Sequence, residues 1–200
     1  VVADQALAMS GVDASTLPTV FTSSTGDPLN CHQLCEALAM PERLVSPTKF
    51  TNSVHNAPAG YWHIAAQSRA PSTSLAAFDA SFATGLLEAA VQCQATGGPV
   101  LLVACDVPYP EPLHALRPLS DVFALALVLA PSGPGRALTV DVSGSDAPTP
   151  CTLPGLDAVR RTIPAARALP LLQVLAGSGA ATVVVDGLSN QHLAVSVAAA

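Results

Sequence analysis

The stretch from Ala70 to Ala90 constrains this chain more than any other. From Ala80 to Ala95 most positions are Ala, Leu, Phe, Val or Cys. A run this apolar, and of helical length, predicts a helix buried on nearly all sides. Ahead of it stand Pro71, a turn residue, and the small run Ser72-Thr73-Ser74-Leu75-Ala76-Ala77, which reads as a strand. A strand feeding a buried helix places its junction residue at the helix N-terminus. Backbone N–H groups are unpaired there and the helix dipole is positive. Enzymes often seat a nucleophile at such a point, because the same donors stabilise an anion. The residue at this junction is Asp79. Its simplest role is an N-cap, worth about 1 kcal/mol over Ala.

Two hundred residues suffice for one domain with a substantial core. Half of them are hydrophobic and only 11% are charged, so part of the surface is expected to face a partner. The net charge is −6 and Lys49 is the only lysine. Nucleic-acid binding needs clustered Lys and Arg and is excluded on that ground. The same balance argues against direct docking of an acidic carrier protein on this chain. The longest unbroken apolar run, Val122 to Ala130, is far too short to cross a bilayer, and no signal peptide is visible. Five cysteines without a repeated spacing read as buried thiols in a reducing, cytoplasmic compartment. The chain opens on Val1 and enters a helix almost at once, so a first strand is expected before this numbering.

In order along the chain, Gln5 to Val12 reads as the end of a short helix closing near Gly11. Pro18 to Ser23 is a strand rich in Thr, Val and Phe. Asp27 followed by Pro28 is a helix start, with the helix expected to run to about Ala39. Within it Cys31 and Cys35 share a face. No second Cys or His pair follows at a usual spacing, so buried structural thiols are expected rather than zinc. Pro41 to Thr51 reads as a loop. Pro58 starts a helix that Trp62 anchors, and His55 and His63 are expected to pack there through hydrogen bonds. After the central helix come strands Pro99 to Cys105 and Val122 to Ala130, joined by a proline-rich loop from Asp106 to Pro118. Further strands are expected at Ala137 to Ser143, Thr182 to Asp186 and His192 to Val197. A loop is expected at Ser145 to Pro154 and a helix at Ala165 to Ala176. Gly177-Ser178-Gly179 follows that helix without the arrangement of a phosphate loop and reads as a helix stop. No cofactor is implied.

Several of these words resemble the β-ketoacyl synthases, which have the thiolase fold. Val20-Phe-Thr-Ser-Ser-Thr-Gly-Asp27 is similar to their strand-turn Val-Phe-x-Ser-Ser-x-Gly-Asp. Asn56 to Gly60 carries their Asn-x-x-Ala-Gly. Ala70-Pro71-Ser72-Thr73-Ser74 matches the opening of their nucleophile segment, with Ala for the first Gly. The strands Val100-Leu-Leu-Val-Ala-Cys-Asp106 and Phe123-Ala-Leu-Ala-Leu-Val-Leu129 are like the pair that follows the nucleophile helix. Leu44-Val-Ser-Pro-Thr-Lys-Phe, Ser53-Val-His-Asn-Ala-Pro-Ala-Gly-Tyr-Trp and Asp79-Ala-Ser-Phe-Ala-Thr-Gly-Leu-Leu-Glu-Ala-Ala are words of a shorter group, the β-ketoacyl synthase-like N-terminal domain proteins. That group is related to ketosynthase chain-length factors and occurs in bacterial aryl-polyene and related pigment gene sets. The likeness spans residues 2 to about 130; beyond that only the order of elements agrees. It implies an α/β fold of half-thiolase type across residues 1–200, with a mixed five-stranded sheet and the central helix buried against it.

The resemblance also implies what is missing. Counting along the motif, the family's cysteine falls on Asp79. A carboxylate is a poor stand-in for the thiolate that takes an acyl group from a thioester. Cys93 lies fourteen residues on, about 21 Å along the same helix. The family's histidines stand beside glycines, whereas none of His32, His55, His63, His114 and His192 does. Two readings follow. In the first, the chain is a non-catalytic chain-length factor for fatty-acid or polyene-type synthesis. It pairs with an active β-ketoacyl-ACP synthase, meets acyl carrier protein only through that partner, adds the strand Ser72 to Ala77 to the partner's sheet, and shapes the acyl tunnel with Asn56, Ala57, Pro58 and Trp62. In the second, it is an independent acyl-thioester hydrolase or acyltransferase using Ser81 or Asp79, although no GxSxG elbow surrounds Ser81.

Overall fold

A computed structural model describes residues 1–144, 146–188 and 191–200; Ser145, the first residue of one expected loop, lies outside them. The chain opens with α1 (Val2–Ser10), which ends on Gly11. A short turn leads to β1 (Thr19–Thr22), then come α2 (Pro28–Ala39), α3 (Pro47–Asn52), α4 (Ala57–Ala65) and β2 (Ser72–Leu75). A single 3-10 turn, Phe78–Ala80, precedes the central helix α5 (Ser81–Thr96). There follow β3 (Val100–Asp106), α6 (Leu113–Leu116), β4 (Phe123–Leu129), β5 (Leu138–Ser143) and α7 (Pro154–Thr162). A 3-10 turn at Ala165–Ala168 runs into α8 (Leu169–Ala176), and β6 (Ala181–Val185) and β7 (His192–Val197) close the chain.

The expected five-stranded sheet is corrected to two sheets. One has the order β2-β1-β3-β4, with β1 parallel to β2 and β3 and with β4 antiparallel to β3. The other is β5-β7-β6, antiparallel throughout. Helix α5 explains the split. Its residues Phe82, Ala83, Leu86, Ala89 and Cys93 share one core with Val20, Leu102 and Ala104 of the first sheet and with Val183, Leu193 and Val195 of the second. A helix sandwiched this way keeps the two sheets a layer apart, so β5 cannot pair with β4. On its other face the first sheet packs Leu101, Val103 and Phe21 against Ala3 of α1 and Ala59 of α4. The order of layers is therefore helix, sheet, helix, sheet.

The approach of α5 to the first sheet is very close. A Cβ on Gly85 would lie 2.6 Å from Thr22 Cγ2 and 3.2 Å from Leu102 Cδ1, so only glycine fits there. The C-terminal half of α5 is less covered than expected: Val91, Gln94, Ala95 and Thr96 are exposed.

Other expectations fare unevenly. Asp27 caps α2, its carboxylate accepting from Asn30 N, and Pro28 opens the helix. Cys31 and Cys35, expected to be buried, are exposed, because α2 buries only Pro28 and Leu34. The Pro41 to Thr51 loop instead contains α3, which starts where Ser46 caps Lys49 N and Pro47 fixes the first turn. Gly177 does stop α8. The guanidinium of Arg136 holds that end in place, donating to the carbonyls of Val174, Gly177, Gly179 and Ala198.

Candidate functional site

The site is built at the junction of β2 and α5. The β2 ladder stops at Leu75, so Ala76 and Ala77 lie outside the strand expected to include them. The reason is local: Ala77 N donates to Ser81 Oγ at 3.0 Å, and the chain turns. Phe78 then takes φ 50°, in the left-handed region. Ala80, not Asp79, holds the N-cap position of α5, and no side chain caps it.

Asp79 is therefore not the helix cap. Its Oδ1 accepts from Arg117 Nη2 at 2.6 Å and its Oδ2 from Arg167 Nη2 at 3.0 Å. Arg117 follows α6, and Arg167 sits in the 3-10 turn before α8. Two charge-assisted bonds to guanidinium groups that are only 22% and 17% exposed outweigh one N-cap bond. Arg117 also donates to Ser24 Oγ at 2.8 Å, and its guanidinium lies 3.5 Å over the ring of Phe78. Arg167 continues to Asp186 at 3.8 Å. Asp186 accepts from Arg160, which donates to Asp157. The bond from Arg160 holds the Asp157 carboxyl below its usual range. Alternating charges thus run from Arg117, after α6, through Asp79, Arg167, Asp186 and Arg160 to Asp157 in α7.

Chemically, Asp79 is an anion already matched by two cations, with both oxygens engaged. Ser81 is buried, and its hydroxyl donates to Phe78 O at 2.7 Å, so its proton is directed at a carbonyl and not at a base. The histidines do other work. His55 Nε2 bonds Ser23 O at 3.0 Å and His63 Nε2 bonds Thr19 Oγ1 at 2.9 Å, the packing expected of them. His192 Nδ1 accepts from Gly187 N, and His32 pairs with Glu36. Burial pushes the Cys93 thiol up, away from the thiolate, and raises Cys105 to about 11. Among the described residues no group of three or more His, Cys, Asp or Glu could hold a metal ion.

A second carboxylate, which the sequence reading passed over, organises the loop beside Asp79. Asp106 ends β3 and is 1% exposed. Its Oδ1 accepts from Ser23 Oγ, Ser24 N and Thr25 N, and its Oδ2 from Ala165 N at 2.7 Å. Burial pushes this carboxyl above its ordinary value, and the bonds from Ala165, Ser24, Ser23 and Thr25 pull it back. The available signal was an Asp closing an apolar strand in a chain whose first strand ends in Ser-Ser-Thr-Gly. Arg117 and Arg167 were missed as well. Their signal was scarcity: eight Lys and Arg in so apolar a chain are expected to be paired.

The segment Asn56 to Trp62 lies across β1 from this junction. Asn56 and Pro58 are exposed and Ala57 is half-buried. Trp62 turns inward, its ring 6.3 Å from Phe21 and 5.1 Å from His63, and so anchors α4 on its own chain. A small apolar recess beside this segment is lined by Phe21, Thr22, Ser23, Gly26, His55, Pro58 and Cys105. On the far side, β2 is the free edge of its sheet. Thr19 N bonds Pro71 O and Ser23 N bonds Leu75 O. By the alternation of a parallel ladder, the main-chain groups of Ser72 and Ser74 then point outward.

Residues 1–180 match the family model described as beta-ketoacyl synthase, N-terminal domain. The chain belongs to that family. Among solved structures, this ketosynthase-family chain is similar to one in the complex of a ketosynthase (ApeO) with its chain length factor (ApeC) from Xenorhabdus doucetiae. The identity is 26% and the TM-score 0.70, over 90% of this chain and 69% of that one. It also matches 3-oxoacyl-[acyl-carrier-protein] synthase III from Aquifex aeolicus, at 10% identity and TM-score 0.52, over 98% of this chain and 82% of that one. The second likeness speaks for the fold alone, which is thiolase-like. No curated protein matches the chain. Among the described residues no helix is long and apolar enough to cross a membrane.

Proposed function

We propose that this ketosynthase-like chain is a non-catalytic subunit, a chain-length factor, that pairs with an active β-ketoacyl-ACP synthase in polyene-type biosynthesis. One observation carries the reading. Asp79 stands where the motif count places the condensing cysteine, and both its oxygens are held by Arg117 and Arg167. Condensation needs a free soft nucleophile and a base, and this site offers neither. A hydrolase or acyltransferase built on Ser81 finds no support, since its hydroxyl is bonded to Phe78 O and no histidine bonds it. The partner is suggested by the ApeO–ApeC complex and by the exposed apolar surface, with Phe50, Leu44, Tyr61 and Ile64 all more than half exposed. Co-expression with a ketosynthase from the same gene set tests the reading: the two chains should purify together.

Pairing is expected along the free edge of β2, which would extend one sheet across both subunits. Proline at Ser74 removes a donor that points outward and leaves the bonds to β1 in place. Ser74→Pro should therefore dissociate the pair while the isolated chain keeps its melting temperature. An intact complex by sedimentation would show that the subunits meet elsewhere.

Asn56, Ala57 and Pro58 are proposed to face the partner's acyl tunnel; Trp62, packed against Phe21 and His63, braces them from behind instead of forming the tunnel floor. Ala57 and Pro58 are small, which leaves room for a long or rigid chain. Filling such space costs about 1–3 kcal/mol, enough to exclude longer intermediates. Ala57→Phe should shorten the carrier-bound products, read by mass spectrometry, and leave the partner active. An unchanged product distribution from an intact complex would deny this segment any say in chain length.

A further inference from the structure

We propose that Phe78 is an anchor for the partner subunit, an aromatic side chain held ready at the surface by the Asp79–Arg117 ion pair and received by an apolar pocket of a second ketosynthase-fold chain. The inference rests on the pairing proposed above and adds the contact that fixes it.

Phe78 combines two features that seldom occur together. Its backbone is left-handed, at φ 50°, a conformation that bulky residues avoid. Yet 63% of the residue remains exposed, so the strained turn gives the isolated chain little burial in return. Glycine would suit the backbone better. Strain of this kind persists where a function uses it.

The ring is also braced. One face is covered by the guanidinium of Arg117 at 3.5 Å. That guanidinium is fixed by Asp79 at 2.6 Å and Ser24 at 2.8 Å, and the ring of Tyr109 lies 6.0 Å from it. An aromatic side chain fixed before binding loses little freedom on docking, and such residues dominate the energy of many interfaces. Asp79 gains a role from this. It is a positioning residue that holds Arg117 under the ring.

The occupant follows from position. Phe78 lies three residues beyond Leu75, where the free edge of β2 ends. Three residues span at most about 10 Å, so a chain that adds a strand to that edge comes within reach of Phe78. A second subunit of the same fold therefore meets both features at once.

The test measures the affinity of the co-expressed ketosynthase for the unmodified chain and for Phe78→Ala, Phe78→Gly, Asp79→Asn and Ser74→Pro, alongside the melting temperature of each isolated variant. Phe78→Ala should weaken association by about 30-fold, the scale of an interface hot spot. Phe78→Gly should do the same without lowering the melting temperature. Asp79→Asn should weaken association by a smaller factor, a change that a residue serving only its own fold would not produce once the variant is folded. If Ser74→Pro dissociates the pair and Phe78→Ala does not weaken it, the anchor is wrong and the pairing stands. If the unmodified chain forms no complex, both are wrong. If Phe78→Ala and Phe78→Gly both fail to fold, the ring serves its own chain and the proposal falls.

Discussion

Leu86→Asp should not fold. Leu86 is fully buried in α5, in the core that joins both sheets. A carboxylate there meets only hydrocarbon, and an unpaired buried charge costs several kcal/mol. Domains of this size have roughly 5–15 kcal/mol of stability in all. The lost leucine packing adds about 2–5 kcal/mol to the cost. Ala83, 3% exposed one turn earlier, predicts the same outcome for Ala83→Asp. Circular dichroism with a urea titration reads the result. A soluble variant that melts cooperatively would mean that α5 is not the centre of the fold.

Asp106→Ala should be the next most damaging change, at about 4 kcal/mol. Each buried donor left without an acceptor costs about 1–3 kcal/mol. Here Ser23 Oγ, Ser24 N and Ala165 N lose theirs and Thr25 N keeps only Ser23 Oγ at 3.3 Å, with some cost recovered as water enters. Because the carboxylate ties the β1 loop to the turn before α8, the Ser24–Arg117–Asp79 cluster should loosen with it. The urea midpoint should fall with little change in slope. A loss below about 1 kcal/mol would show that water replaces the carboxylate at little cost.

Features written in adjacent residues were legible in the sequence. Asp27-Pro28 starts α2, the apolar run makes α5, and His192–Val197 is the strand expected. Features that depend on distant residues were not. The partners of Asp79 lie 38 and 88 residues away, so nothing near it distinguishes an ion-pair hub from a cap, and the cap was the wrong choice. Strands on either side of a buried helix look equally apolar, so the sequence does not separate the two sheets. Residue type favours a buried place for Cys31 and Cys35, but the face of α2 that carries them turns outward. Six residues give α3 too short a period to show in the sequence, although Ser46-Pro47 marks its start.

On the proposed reading this chain supports condensation without performing it. The direct measurement incubates acyl and malonyl thioesters with the isolated chain, and in parallel with the chain bound to its ketosynthase, and reads condensation products by mass spectrometry. The isolated chain should give none above background, and the complex should form them readily. Turnover by the isolated chain that disappears in Asp79→Ala or Ser81→Ala would contradict that reading.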